Sequence, residues 1–212
     1  NRNTIFKISC FHGRLQLKNM QQTITIAGGA QQPLIVNRLG YGTMRLTGEG
    51  IYGEPPRREE ALQILKHVVS NGVNFLDTAD YYGDDVTNRL IKEALYPYTK
   101  DLVICTKVGA TRKPDASWIP FNKPEQLRIA IDRNLSTLQI EQVQLVHFRV
   151  LPGSDVPFKE SMQAMFEMQQ EGKILHVGVS NVTREELETA MQMGNVATVE
   201  NMYGHGQRTT IQ

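Results

Sequence analysis

Four side chains able to move a proton stand at or just beyond the ends of three apolar runs. Asp77 and Tyr82 lie five residues apart in Asn74-Phe75-Leu76-Asp77-Thr78-Ala79-Asp80-Tyr81-Tyr82-Gly83. Lys107 closes Leu102-Val103-Ile104-Cys105-Thr106-Lys107, and His147 closes Val143-Gln144-Leu145-Val146-His147. A free tyrosine titrates near ~10 and is a poor acid at neutral pH. A nearby ammonium favours the phenolate and lowers that pKa, and an imidazole can orient a substrate oxygen or help relay the proton. Asp77 paired with Lys107 would hold the amine in place and keep it charged in a partly buried site. The set suits protonation of a carbonyl oxygen as a hydride arrives at carbon. It offers no metal site, since His12, His67, His147, His176 and His205 lack ligand spacing. Nor does it make a nucleophile triad, since no Gly-x-Ser-x-Gly elbow occurs.

Each residue also has a plainer reading taken singly: a turn-forming Asp, a solvated Lys, a hydrogen-bonded core His. Strand parity argues for the joint reading. Side chains alternate along a strand, so Val73, Phe75 and Asp77 share one face, as do Val103, Cys105 and Lys107, and Val143, Leu145 and His147. Each polar residue ends an apolar row, where a barrel interior opens at its C-terminal rim.

The elements that must position these residues follow from hydrophobic period. Thr23-Ile24-Thr25-Ile26 and Pro33-Leu34-Ile35-Val36, joined through Gly28-Gly29, predict a hairpin. Strands are then expected at 37–44, 73–79, 102–108, 142–148, 175–180 and 197–203. Between them lie helical stripes: Leu62, Leu65 and Val69; Leu90, Ile91, Ala94 and Leu95; Leu127, Ala130, Ile131, Asn134, Leu135 and Leu138. Met162, Met165 and Phe166 form another, and Leu187, Ala190 and Met191 the last. Pro124 suits a first helical turn, and Thr183-Arg184-Glu185-Glu186 reads as a capping box. The methionines read as core filler.

Repeated βα units predict an α/β fold with a parallel sheet, open and doubly wound or closed as a (β/α)8 TIM barrel. No Gly-x-Gly-x-x-Gly joins a strand to a helix, which favours the barrel. Such barrels take roughly 250 residues, and six strands are used by Tyr203. The expectation is therefore a barrel truncated after its sixth strand, with roughly 60–80 residues missing on that size scale. Residues 1–19, free of acidic groups and beginning at Asn1, read as a leader or non-native segment, leaving 20–212 as one barrel domain.

Bulk properties narrow the function classes. A chain of 212 residues, 40% of them apolar, can bury one large core. A net charge of +1 argues against a nucleic-acid or membrane-surface binder. No apolar stretch approaches the roughly 20 residues that cross a bilayer. Cys10 and Cys105 form no disulfide framework, so a reduced, cytoplasmic protein is expected. The sequence leaves the oligomeric state open.

Gly42-Thr43-Met44, Asp77-Thr78-Ala79 with Tyr82-Gly83, Thr106-Lys107, His147 and Gly178-Val179-Ser180-Asn181 resemble, in order, the motifs of the aldo-keto reductases. The resemblance runs from about Met20 to Tyr203. It implies a (β/α)8 barrel that reduces aldehydes or ketones with NADPH (NADP+ when oxidised), without a metal. Tyr82 would be the proton donor, Lys107 and Asp77 its tuning pair, and His147 the substrate-orienting partner. Gly42, Thr43, Met44, Asp77, Ser180, Asn181 and Glu200 would line the nicotinamide end, with Ser180 and Asn181 on its carboxamide. Asp115-Ala116-Ser117-Trp118, in a long loop after the third strand, stands where the family carries substrate-contacting residues. Trp118 is the expected substrate contact, with plain loop packing as its alternative.

Two departures stand out. Glu200 replaces the family's usual amide beside the nicotinamide, and a carboxylate accepts from an amide but cannot donate to it. Phe148-Arg149 replaces the usual Trp-Pro after the histidine. The partner implied is a small carbonyl compound. Two other readings remain: a regulatory barrel that binds cofactor without turnover, and an inactive fragment lacking the adenosine half of the cofactor site.

Overall fold

A computed structural model describes residues 23–27 and 29–202. Two antiparallel strands open the described chain, β1 (Thr23–Ile26) and β2 (Leu34–Asn37). Strands and helices then alternate: β3 (Tyr41–Gly42), α1 (Arg58–Ser70), β4 (Phe75–Asp77), α2 (Val86–Leu95) and β5 (Val103–Arg112). After β6 (Trp118–Phe121) come α3 (Pro124–Leu138), β7 (Val143–Arg149), α4 (Phe158–Gln170), β8 (Ile174–Ser180), α5 (Arg184–Met193) and β9 (Val196–Glu200).

Six parallel strands lie side by side in the order β3-β4-β5-β7-β8-β9. That order follows the chain without reversal. A doubly wound sheet reverses at a switch point, so this is the curled sheet of a β/α barrel.

Local chemistry accounts for the element ends. Pro124 occupies the first turn of α3, where its missing N–H costs nothing. The capping box of α5 is complete: Thr183 Oγ1 accepts from Glu186 N at 3.2 Å, and Glu186 Oε2 accepts from Thr183 N at 2.7 Å. Among the described residues no helix is long and apolar enough to cross a membrane.

Three expectations change. The stretch 37–44 is not one strand: Asn37 belongs to the hairpin, β3 is Tyr41–Gly42, and Met44–Leu46 is a 3-10 turn. Trp118 is not in a loop but opens β6, which folds back antiparallel on β5. The last strand ends at Glu200; Tyr203, the proposed leader 1–19 and the boundary at residue 20 lie outside the described residues.

The core divides by sheet face. Between strands and helices, Leu65, Leu76, Leu90 and Ile104 form one cluster and Leu127, Val146, Met162, Met165 and Val177 a second. Inside the curl, Phe75, Val103, Cys105 and Leu145 meet Ile26, Leu34 and Val36 from the hairpin, which closes the floor. Val143 departs from its expected row and joins the helix-facing cluster.

Candidate active site

Asp77 ends β4 as expected, but β5 continues five residues past Lys107 into the hairpin with β6; both positions are fixed from behind. Thr78 and Thr106 point away from the barrel interior into a buried polar network. Thr78 Oγ1 lies 2.9 Å from both Thr87 Oγ1 and Asn88 Oδ1. Asn88 Nδ2 donates to Asn134 Oδ1 at 2.8 Å, and Thr106 Oγ1 donates to the same oxygen at 2.6 Å. Asn134 Nδ2 returns to its own helix at Ala130 O, 2.8 Å away. This satisfied network ties β4, α2, β5 and α3 together, and such networks specify a single arrangement.

On the inner face, Lys107 is fully buried and its Nζ forms an ion pair with Asp77 Oδ1. A second carboxylate reaches it: Glu200 Oε1 lies 3.2 Å away. The ammonium also sits 5.4 Å from the centroid of the Tyr82 ring. His147 is paired with Lys107 in register across β5 and β7. Its imidazole is buried, with Nδ1 3.2 Å from Glu200 Oε2 and 3.1 Å from Cys105 Sγ, and Nε2 2.8 Å from Thr198 Oγ1. The ring reaches β9 by lying across Gly178: a Cβ there would come within 2.5 Å of both His147 Cδ2 and Thr198 Oγ1.

Burial dominates the protonation states. It pushes the Tyr82 phenol above its ordinary value, against the downward pull of Lys107. The sequence suggested a lowered tyrosine; desolvation outweighs the ammonium, and Tyr82 stays a protonated donor. Burial pulls Lys107 down, but Asp77, Tyr82 and Glu200 outweigh it and hold the amine charged. Desolvation pushes Asp77 and Glu200 up against the opposing pull of Lys107, and the Asp77 charge raises Glu200 further. Burial, helped by Lys107, lowers His147 to about 3, so the imidazole is neutral.

The expected cofactor residues divide. Thr43 is buried and bonded twice to Asp77 O, from N at 2.9 Å and Oγ1 at 3.0 Å. Gly42 faces open space, where an added Cβ would find only Asp77 Oδ2, at 4.0 Å. Met44 packs against the cluster formed by Ala79, Tyr81, Tyr82 and Ala110. Ser180 Oγ is buried and makes no hydrogen bond among the described residues. Asn181 holds a left-handed backbone (φ 59°), and its amide donates to Val150 O at 2.9 Å. An orphaned buried hydroxyl leaves one hydrogen-bonding position unused, as a site awaiting an amide-bearing ligand would. Trp118 stays one ring removed: it meets Tyr81 edge-on at 5.4 Å, and Tyr81 meets Tyr82 at 5.3 Å. Arg112 covers Trp118 at 4.0 Å.

Sequence reasoning missed three neighbours. Thr198 and Cys105 touch His147; the signal was parity, since they stand two residues before Glu200 and Lys107. Arg149, two residues past His147, pairs with Ser180 in register, and its charge favours ionised Asp77 and Glu200. Asp77, Cys105 and His147 also bring ligand-type atoms within 4.8 Å of one another, a grouping that histidine spacing does not reveal. The Lys107 ammonium on Asp77 opposes a cation there, and burial keeps Cys105 a thiol.

Comparison with known proteins matches the Aldo/keto reductase family model to residues 38–205. The chain is 42% identical over 178 residues to pyridoxine 4-dehydrogenase of Escherichia coli, covering 82% of this chain and 62% of that protein. Among solved structures it resembles a glycerol dehydrogenase from Gluconobacter oxydans with a TM-score of 0.77 at 23% identity, covering 89% of this chain and 57% of the other. It also resembles an aldo/keto reductase from Klebsiella pneumoniae solved with NADP and acetate, with a TM-score of 0.67 at 22% identity, covering 87% and 59%. The chain thus spans about three-fifths of the length of these relatives.

Proposed function

Because this chain belongs to the aldo/keto reductase family, we propose that the protein interconverts an aldehyde or ketone and its alcohol, with NADPH as the reductant. The observation that carries the reading is the buried Lys107 ammonium, held between Asp77 and Glu200 and set against the Tyr82 ring. Burying a charged amine costs several kcal/mol unless it is well paired, and a passive binding barrel has no use for one beside a phenol.

When bound, the reduced nicotinamide supplies the hydride. Gly42 leaves room for a flat ring, and the Ser180 hydroxyl and Asn181 amide oxygen offer partners for a carboxamide. NADP in the Klebsiella pneumoniae structure supports the choice of cofactor. Tyr82 donates its phenolic proton to the substrate oxygen as carbon gains the hydride, so the C=O bond becomes C–H and O–H. Lys107 stabilises the phenolate left behind, Asp77 keeps the amine aimed, and solvent restores the proton. His147 lies beside this group, and Trp118 bounds the substrate side through Tyr81. A small carbonyl compound is the proposed partner. A buried free thiol at Cys105 suits the cytoplasm.

The similarity to pyridoxine 4-dehydrogenase makes pyridoxine and its 4-aldehyde the first couple to assay. NADPH consumption with that aldehyde or with other small aldehydes and ketones is the expected result. NADPH binding without turnover across the whole panel would favour the regulatory reading instead.

A further inference from the structure

Glu200 touches two of the proposed catalytic groups at once. Its Oε1 lies 3.2 Å from Lys107 Nζ and its Oε2 lies 3.2 Å from His147 Nδ1. Cross-strand pairing explains the reach: Arg149, Ser180 and Glu200 stand abreast on β7, β8 and β9, one step above His147 and Gly178. With no side chain on Gly178, nothing separates β7 from β9, and the imidazole spans the gap to Thr198.

The geometry points to Glu200 as a positioning residue that selects the tautomer of His147, keeping its proton on Nδ1. An ionised carboxylate only accepts hydrogen bonds, and its charge within ion-pair distance of Nδ1, at 3.2 Å, favours the proton on that nitrogen. Nε2 is then an acceptor and takes the Thr198 hydroxyl proton at 2.8 Å. The Cys105 sulfur, 3.1 Å from Nδ1, serves as a second, weak acceptor. Every polar contact of the ring is satisfied in this arrangement.

Without Glu200 the same neighbours favour the opposite state. Burial keeps Cys105 a thiol, so S–H would donate to Nδ1, and Nε2–H would donate to Thr198 Oγ1. Glu200 is the one contact that breaks this symmetry. The consequence, which rests on the carbonyl-reductase reading, is that His147 offers the substrate oxygen no free N–H. Tyr82 and Lys107 carry the proton transfer, and an amide at position 200 would loosen that division of labour.

The test is the tautomer of His147, read from nitrogen-15 shifts and long-range proton–nitrogen couplings in protein labelled at histidine, without cofactor or substrate. The expected result is a protonated Nδ1 in the unaltered protein, and transfer of that proton to Nε2 in Glu200→Ala. Cys105→Ala should leave the proton on Nδ1. A proton on Nε2 in the unaltered protein overturns the inference outright, even if no variant folds. An unchanged tautomer in folded Glu200→Ala overturns it equally. Since no turnover is measured, a negative result leaves carbonyl reduction standing, and a failure of carbonyl reduction leaves the tautomer result intact.

Discussion

The barrel interior has two levels that differ by one step of the strand period. On the floor, Phe75, Cys105 and Leu145 pack against the hairpin's Leu34 and Val36. Two residues further along the same strands stand Asp77, Lys107 and His147. Backbone geometry is shared; only side-chain chemistry changes. The floor excludes water from below, and that exclusion gives the rim its character. Burial there neutralises His147 and binds Lys107 tightly to its carboxylates, while Tyr82 is kept protonated by a separate cluster with Met44, Ile51 and Leu151. The apolar level is thus part of the chemistry of the polar one.

The sharpest way to break this contrast is to turn the rim into floor. Lys107→Met keeps the length of the side chain and removes its charge. Carbonyl reduction should fall by roughly 10²–10⁴-fold, the usual worth of a positioned proton-transfer group, with the far-ultraviolet circular dichroism unchanged. Turnover within tenfold of the unaltered protein would mean that the ammonium is not needed.

The converse change weakens the floor and spares the rim. Leu34→Ala removes a buried side chain from the closing hairpin and should cost about 2–5 kcal/mol in urea unfolding. Turnover of the folded fraction should persist. Near-zero destabilisation would show that the hairpin does not seal the interior.

An effect spread over pH, and small within any one unit of it, comes from Asp80, three residues beyond Asp77 but without its lysine. Asp80 is buried, its Oδ1 has no partner among the described residues, and desolvation raises it to about 8. The unfolded carboxyl titrates near ~3.9. Between those values the folded chain holds a proton that the unfolded chain has lost, so stability falls as pH rises from about 4 to about 8. The slope for one such group is at most about 1.4 kcal/mol per pH unit. Asp80→Asn should flatten the slope, and unfolding midpoints measured across that range check it. An unchanged slope would show that Asp80 is ionised in the fold.

Much of the floor and part of the rim were legible in the sequence. Period-two rows put Phe75 below Asp77 and Cys105 below Lys107, and the Thr183 capping box and the helical stripes fell where expected, except that Met191, read as core filler, is exposed on α5. Asp77–Lys107 pairing followed from parity and charge. Glu200 joining Lys107 to His147 did not, because it depends on the register of three strands and on a shift between Val177 and Val179. The β6 hairpin was missed because Pro120 interrupts the strand signal, which only an edge strand tolerates. The direction of the Tyr82 shift was missed because the ring's burial comes from distant partners, Met44, Ile51 and Leu151 among its cluster.

The central claim is that Tyr82 delivers the proton at a rim made reactive by the floor beneath it. Tyr82→Phe tests it most directly, since one hydroxyl is removed and the ring packing against Tyr81 is kept. The account predicts that NADPH oxidation with an aldehyde turned over by the unaltered protein falls by about 10²–10⁴-fold, with urea stability within about 1 kcal/mol. Undiminished turnover in the folded variant would contradict it.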